Sequence, residues 1–325
     1  MKIAPIVGRG LLPFLATLIC LPSSGLGADY PSKPIRLIAG YPAGAASDTL
    51  ARILAERLAQ RTGHNVIVDN RPGAAGDVAA ELAANSAPDG HTLLLVSTSY
   101  GIRPSLTQRL RYDVIKDFTA VSPIASAPLI LVVNTSLPVQ SVPDLIKHAR
   151  AKPGQLSYAS SGTGTSLHLG MELLKIYGGV NIVHVPYKGV PQALVEVMSG
   201  QVQMIFSTTS PAIPLIKAGK LRALAVSSAK RSPAAPDVPP ISDTFPGFVS
   251  DLWWGVAAPS GTQTKVVNIL NEAITGVVSA PDIADRLRDL GFSAFTSSPK
   301  EFGAFIKAEM VKWAKVAKAS GVRLD

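Results

Sequence analysis

The sequence predicts an α/β protein of two lobes, with mainly parallel sheets, flanking helices and two interlobe crossings. Three observations predict it. Short apolar runs alternate with amphipathic stretches along most of the chain, the pattern of strand–helix–strand units. That alternation is broken near residues 130 and 250 by apolar runs suited to strands that pass from one lobe to the other. The chain is also long enough, at 325 residues, to bury two cores.

The elements follow in order. Residues 35–39 (IRLIA) read as a strand. Residues 49–61 read as a helix, with Leu50, Ile53, Leu54 and Leu58 on one face and Gly63 just past its end. A strand at 66–68, a helix at 77–85, a turn at Pro88-Asp89-Gly90 and a strand at 93–96 complete a doubly wound pattern. The run 121–134, interrupted by Pro123 and Pro128, suits a first crossing. A helix at 142–151, strand at 156–158, helix at 166–177 and strand at 182–185 repeat the alternation. Pro191 sits where a first-turn proline would start a helix that runs to Ser199 and stops at Gly200. Strands at 203–206 and 221–226 complete a second sheet, and residues 232–246, rich in Pro, Ser and Asp, read as a surface excursion. Residues 251–258 read as the second crossing, followed by helices at 264–278, 281–290 and 299–319.

The first residues carry Lys2 and Arg9, an apolar stretch at 11–21 and the small, turn-prone run 22–28, the three parts of a secretory signal. Cleavage is expected after Gly27 or Ala28, which places the mature protein outside the cytoplasm. Cys20 follows Ile19, not the small residue that lipid attachment requires, and it is removed with the signal. The mature fold therefore rests on buried apolar area, not disulfides. The expected organisation is a signal peptide at 1–28, a first lobe at 29–130 plus 250–325, and a second lobe at 131–249. The formal charge of +9 loses two units with Lys2 and Arg9. The basic residues are scattered with few aromatics beside them, which argues against nucleic-acid binding.

Two loops make the same physical device. Tyr41-Pro42-Ala43-Gly44-Ala45-Ala46-Ser47-Asp48 and Ser160-Ser161-Gly162-Thr163-Gly164-Thr165-Ser166 each lie between a strand and a helix. Small residues admit a ligand to the backbone, and the first N–H groups of each helix lack intrahelical partners. That combination binds anions. The alternative for each loop is simple capping, by Ser47 or Asp48 in the first and by Thr165 or Ser166 in the second. One loop per lobe makes a pincer for a ligand with one or two carboxylates.

Other chemistries fail on inspection. His64, His91, His148, His168 and His184 never pair at metal-ligand spacing, so no metal is expected. There is no G-x-S-x-G elbow, no third glycine after Gly162-Thr163-Gly164 and no P-loop lysine, so no cofactor is expected. Ser160 or Ser161 with His168 leaves an exported hydrolase as an alternative, without an evident carboxylate to orient the imidazole. Trp253 and Trp254 are candidates for the cleft wall, with at least one expected in the core.

These loops also carry a resemblance. The chain from Tyr30 onward resembles the Bug (Bordetella uptake gene) family, substrate-binding proteins of tripartite tricarboxylate transporters. The resemblance rests on Tyr30-Pro31-Ser32-Lys33-Pro34-Ile35-Arg36, Tyr41-Pro42-Ala43-Gly44 with Asp48, and Asp69-Asn70-Arg71-Pro72-Gly73-Ala74-Ala75-Gly76. It continues in Tyr158-Ala159-Ser160-Ser161-Gly162-Thr163-Gly164-Thr165 with His168, and in Val185-Pro186-Tyr187-Lys188-Gly189. It implies a type II-like periplasmic binding protein fold, without catalysis, closing on a small carboxylate. It also implies the membrane components of a tripartite transporter as partners; a monomer is expected. By the resemblance, residues 42–48 and 160–165 hold one carboxylate through backbone amides, hydroxyls and waters, with Asp48 orienting the loop or a water. Residues 97–103, including Ser99 and Arg103, with Tyr187, Lys188 and Thr208, would shape the distal pocket. Arg103 would either pair with a second carboxylate or stand exposed. The family's double glycine is Gly44-Ala45 here, which leaves the geometry of the first loop open. A sensor domain that feeds the same ligand to a signalling partner is the other reading.

Overall fold

In the computed structural model, residues 30–324 are described together with Met1 and Ala4. Apart from those two residues, the expected signal peptide, with its cleavage point and Cys20, lies outside the described residues. From Pro31 onward the chain is one unit by its backbone contacts, and it contains two sheets.

The first sheet is begun by β1 (Ile35–Ala39), α1 (Ala46–Thr62), β2 (Val66–Asn70), α2 (Asp77–Ala84), β3 (Thr92–Ser97), the short α3 (Thr98–Ile102) and β4 (Phe118–Ala127). The chain then enters the second sheet through β5 (Leu129–Asn134), with Pro128 alone between them. There follow α4 (Val142–Ala151), β6 (Ser157–Ser160), α5 (Ser166–Gly178), β7 (Val183–Pro186), α6 (Val190–Ser199), β8 (Met204–Thr208), α7 (Thr209–Lys217) and β9 (Leu221–Val226). It returns through β10 (Leu252–Pro259) and ends in α8 (Thr264–Val278), α9 (Pro281–Asp289), β11 (Ser293–Ala294) and α10 (Pro299–Ser320).

The sheets share a plan. Their orders are β11-β4-β10-β3-β1-β2 and β7-β6-β8-β5-β9. The strands β1, β2 and β3 run parallel, as do β6, β7 and β8, because helices cross between them. The strands that arrive from the other sheet run against their neighbours: β10 against β3 and β4, and β5 against β8 and β9. The parallel expectation thus holds for the strand–helix–strand units and gives way at the two crossings.

The crossings are stitched to each other. Ser227 Oγ accepts the Leu129 amide at 2.8 Å and donates to Asp251 Oδ1 at 2.6 Å. A third tie was not foreseen. The N-terminal half of α10 puts Phe302 and Ile306 into a core cluster with Ile38 and Leu94 of the first sheet. Its C-terminal half puts Trp313, Val316 and Ala317 among Leu129, Leu131 and Phe206 of the second. Glu309, at mid-helix, accepts both Trp253 Nε1 (3.1 Å) and Trp313 Nε1 (3.0 Å).

Two expectations need correction, and one helix was not foreseen. The first helix begins at Ala46, not 49, because Ala45 in extended conformation already serves as N-cap, without a side-chain cap from Ser47 or Asp48. The helix α7, between the strands expected at 203–206 and 221–226, was assigned no element from sequence. Pro211 falls in its first turn, where a missing N–H is harmless, and only Pro214 removes an internal bond. Residues 232–246 are a surface excursion only in part: Pro233, Pro236, Asp237, Pro239, Asp243 and Pro246 are exposed, but Ile241 is fully buried, and the Val226 amide bonds the Pro239 carbonyl beside β9. Among the described residues no helix is long and apolar enough to cross a membrane.

Candidate functional site

The loop after β1 is held by a buried carboxylate. Asp48, in the first turn of α1, accepts the Gly44 amide (2.9 Å), Asn70 Nδ2 (3.0 Å) and Arg52 Nε (3.0 Å). Asn70 also donates to the Tyr41 carbonyl, so both ends of the loop are pinned. The Arg52 bond, with those from Gly44 and Asn70, outweighs burial and holds the Asp48 carboxyl down to about pKa 2. Gly44 takes φ +83°, while Ala45 sits at −71°. Only one left-handed residue is needed here, so the alanine in place of a second glycine is compatible with the turn.

The loop after β6 is held by imidazoles. Its N-cap is Thr165, whose Oγ1 accepts the His168 amide, as the capping alternative expected. His168 Nδ1 accepts the Gly164 amide at 3.0 Å, and Ser160 Oγ lies 2.6 Å from His184 Nε2. The two rings stack at 3.7 Å between centroids, with Tyr158 stacked on His184 at 4.9 Å. Burial keeps both neutral: the His168 pKa falls to about 3 and the His184 pKa to about 4. Glu172 beneath them accepts Tyr158 Oη and Lys175 Nζ.

This bonding decides which amides remain for a ligand. Those of Gly44, Ala45, Gly162, Gly164 and Thr165 are used within the loops. The first-turn amides of Ala46 and Ser47 in α1, and of Ser166 and Leu167 in α5, have no protein acceptor among the described residues. The glycines therefore shape the turns, and the helix starts carry the donors. A cavity of about 230 Å³ brings the two starts together: Ala45, Ala46 and Ser47 line it from one side and Ser166 from the other. Its remaining wall is Tyr41, Ser97, Thr98, Ser99, Leu252 and Trp254. Among the described residues no charged side chain lines it.

Of the residues named from sequence, Tyr41, Ala45, Ser47 and Ser99 line this cavity. Tyr41 Oη donates to Ser99 Oγ at 3.0 Å, and Ser97 Oγ lies 3.0 Å from Ser99 Oγ. Pro42, Ala43, Gly44 and Asp48 of the first loop, and Ser160, Ser161, Gly162, Thr163, Gly164, Thr165 and His168 of the second, do not line it; Pro42, Ala43, Gly44 and Thr163 are exposed, and Ser166 is the lining residue next to the second loop. Arg103 is neither exposed nor directed at this cavity. It grips Asp77 with two nitrogens, and Tyr112 Oη completes the group at 2.9 Å from Asp77 Oδ1. Tyr187 packs on the second core, Lys188 is exposed, and Thr208 is the N-cap of α7. The tryptophans divide as expected of at least one. Trp253 is core, edge-on to Phe302, and Trp254 lines the cavity with its Nε1 2.9 Å from Ser47 Oγ. A larger cavity of about 660 Å³ lies between α8, α10 and β4, and of the stretch 97–103 named from sequence Tyr100 lines it.

Sequence reasoning missed two members, Leu252 and His184. Leu252 belongs to the second crossing and reaches the cleft only because β10 inserts beside β3. His184 is the partner of Ser160 because β7 pairs β6 in register, Tyr158 opposite His184. That pairing also corrects the hydrolase alternative, which assigned the base to His168. Ser160 is fully buried, and no hydrogen bond to a base is made by Ser161.

Comparison with known proteins agrees with the geometry. Residues 50–322 match the model of the tripartite tricarboxylate transporter family receptor. BugT of Bordetella pertussis is 35% identical over 298 residues, 91% of either chain. A Rhodopseudomonas palustris protein solved with adipate is 36% identical, with a TM-score of 0.76 over 91% of this chain and 99% of that one. MatC from the same organism, with bound malate, is 28% identical, with a TM-score of 0.71 over 88% and 99%. The resemblance read from the loop motifs is thus upheld by the whole chain, which belongs to the Bug-type receptors of tripartite tricarboxylate transporters, a family of solute-binding proteins and not of enzymes.

Proposed function

We propose that this chain is exported, loses its signal near residues 27–28, and works in the periplasm as a monomeric receptor. It captures a small carboxylate between two lobes, residues 29–130 with 250–325 and residues 131–249, and hands it to the membrane components of a tripartite transporter. The carrying observation is the single cavity edged by two helix starts whose first amides lack acceptors. A carboxylate placed there takes hydrogen bonds from the backbone and lies at the positive ends of two helix dipoles. The hydroxyls of Ser47, Ser97 and Ser99 add donors, and Trp254 offers a flat apolar wall. Residues 160–165 and Asp48 hold the turns in shape; Tyr187, Lys188 and Thr208 do not line the cavity and would meet a ligand only on lobe closure, while Arg103 stays paired with Asp77. Adipate and malate, found in the two structural relatives, are the first ligands to try.

Proline is tolerated at the first helical position and deletes its N–H. Both N-caps, Ala45 and Thr165, are already extended, as a following proline requires. Ala46→Pro and Ser166→Pro should therefore fold normally and bind a carboxylate roughly tenfold more weakly, the scale of one charge-assisted hydrogen bond. The assay is a thermal-shift and calorimetric screen of adipate, malate and related acids against their methyl esters. A ligand at 100 times its dissociation constant adds about 2.7 kcal/mol. Equal shifts from acid and ester, or undiminished binding in both proline variants, would overturn the clamp.

A further inference from the structure

A groove of about 670 Å³ runs between α5 and the C-terminal half of α10, away from the ligand cavity. Its floor is apolar, with Leu173 and Val316 almost fully buried. Its rim exposes three large apolar side chains, Ile176 at 44%, Tyr177 at 39% and Val311 at 56%. Such exposure on a water-facing helix pair is unfavourable unless something covers it. The same rim carries Lys307, Lys312 and Lys315. Lys312 is engaged by Glu309 at 2.5 Å, while Lys307 and Lys315 form no ion pair among the described residues.

We infer that this groove docks an acidic, apolar-faced helix or loop of the membrane components that receive the ligand; the inference rests on the receptor reading above. Three charge arguments and one shape argument choose this occupant. Two unpaired ammonium groups beside an apolar floor ask for carboxylates flanking apolar side chains. A second copy of this chain meeting the groove face to face would oppose lysine to lysine across a two-fold axis. Lys312 is already neutralised from within, so the outer pair sets the local sign. The floor is recessed between two helices, which fits an inserted segment better than a flat lipid surface. The location also suits delivery: α5 begins at the second ligand-facing turn, and α10 is anchored in both cores, so a segment seated here touches both bodies that close on the ligand.

The test uses the mature protein and nanodiscs of anionic lipid with or without the membrane components of a tripartite tricarboxylate transporter, read by biolayer interferometry. The variant Val311→Glu with Lys315→Glu changes exposed side chains only. Its melting temperature and its adipate or malate shift should equal those of the wild type. The expected result is binding of wild type to loaded discs that weakens with salt, reduced at least tenfold in the variant. Equal binding by variant and wild type overturns the inference. So does equal binding of wild type to empty discs, which would assign the groove to lipid, and so does dimerisation lost only in the variant. Wild type that fails to bind loaded discs also overturns it. The carboxylate shift then separates the two levels: if it persists, the receptor reading stands without this groove, and if it is absent, that reading fails as well.

Discussion

The two turns that edge the cavity have the same topology and opposite chemistry behind them. The turn before α1 is held by an anion, Asp48, and the turn before α5 by two stacked neutral imidazoles. An acid in the first turn of a helix already draws on the positive end of its dipole. In α1 that acid is present, compensated by Arg52, whereas α5 has no acid in its first turn. The field at the start of α5 is therefore unspent, and a bound anion should depend more on the second turn than on the first. Equal topology does not mean an equal share of binding.

The contrast can be broken or sharpened by experiment, beginning with the glycines. Gly164 and Gly44 both have φ near +80°, but only Gly164 is crowded: an added Cβ would lie 2.8 Å from Leu106 Cδ1 and 3.2 Å from Leu324. Gly164→Val should lose ~3 kcal/mol of stability, combining backbone strain with overpacking. Gly44→Ala, with open space around it, should lose ~1 kcal/mol. Urea denaturation measures both, and similar losses would deny that the second turn is the more tightly built.

Next come the two anchors. Asp48→Asn leaves a buried site with three donors and one fewer strong acceptor and should lose ~1–3 kcal/mol. His168→Leu orphans the Gly164 amide and should lose about 1–2 kcal/mol. A cavity-side readout separates them: if α5 dominates anion binding, His168→Leu should weaken carboxylate binding more than Asp48→Asn does, by calorimetry, even though it is the milder change in stability.

The smallest expected effect is a pH slope with two opposing parts. The folded values of His168 and His184, about 3 and about 4, lie below the ordinary 6.5. Their contribution is complete above about pH 6.5 and is lost as pH falls from there toward 4. Asp251 behaves oppositely, since burial raises it from 3.8 to about 6. Its protonated form suits the fold, so its contribution grows as pH falls from about 6 toward 3.8. Asp251→Asn should remove that compensation, leaving a steeper fall in melting temperature between pH 6.5 and 4 than the wild type shows. A parallel profile would mean that Asp251 titrates normally at the crossing.

How much of this was legible in the sequence follows from the range of the interactions involved. Strands such as Ile35–Ala39 and Leu221–Val226, and helices such as Val142–Ala151 and Thr264–Val278, agree to the residue, because periodicity and caps are local signals. The turns were legible for the same reason. Which amides stay free was not, because that depends on how Asp48 and His168, each four residues on, fold back to take the Gly44 and Gly164 amides. The pairing of Ser160 with His184 depends on strand register, and the capture of Arg103 by Asp77 joins residues from separate elements. Leu252 and Trp254 reach the cleft through a strand returning from the far end of the chain. The register, the ion pair and the returning strand are long-range facts, and one sequence without homologues does not contain them.

The central position of β10 in the first sheet governs the order in which this chain can fold. The strand lies between β3 and β4, both of which leave the ribosome well over a hundred residues earlier. Until residue 259 has been made, those two have nothing between them, and the N-terminal part of the protein cannot close into a finished sheet. If the chain crosses a membrane unfolded, this late keystone keeps it pliable during synthesis and lets the first sheet close only once about four-fifths of the chain has been made.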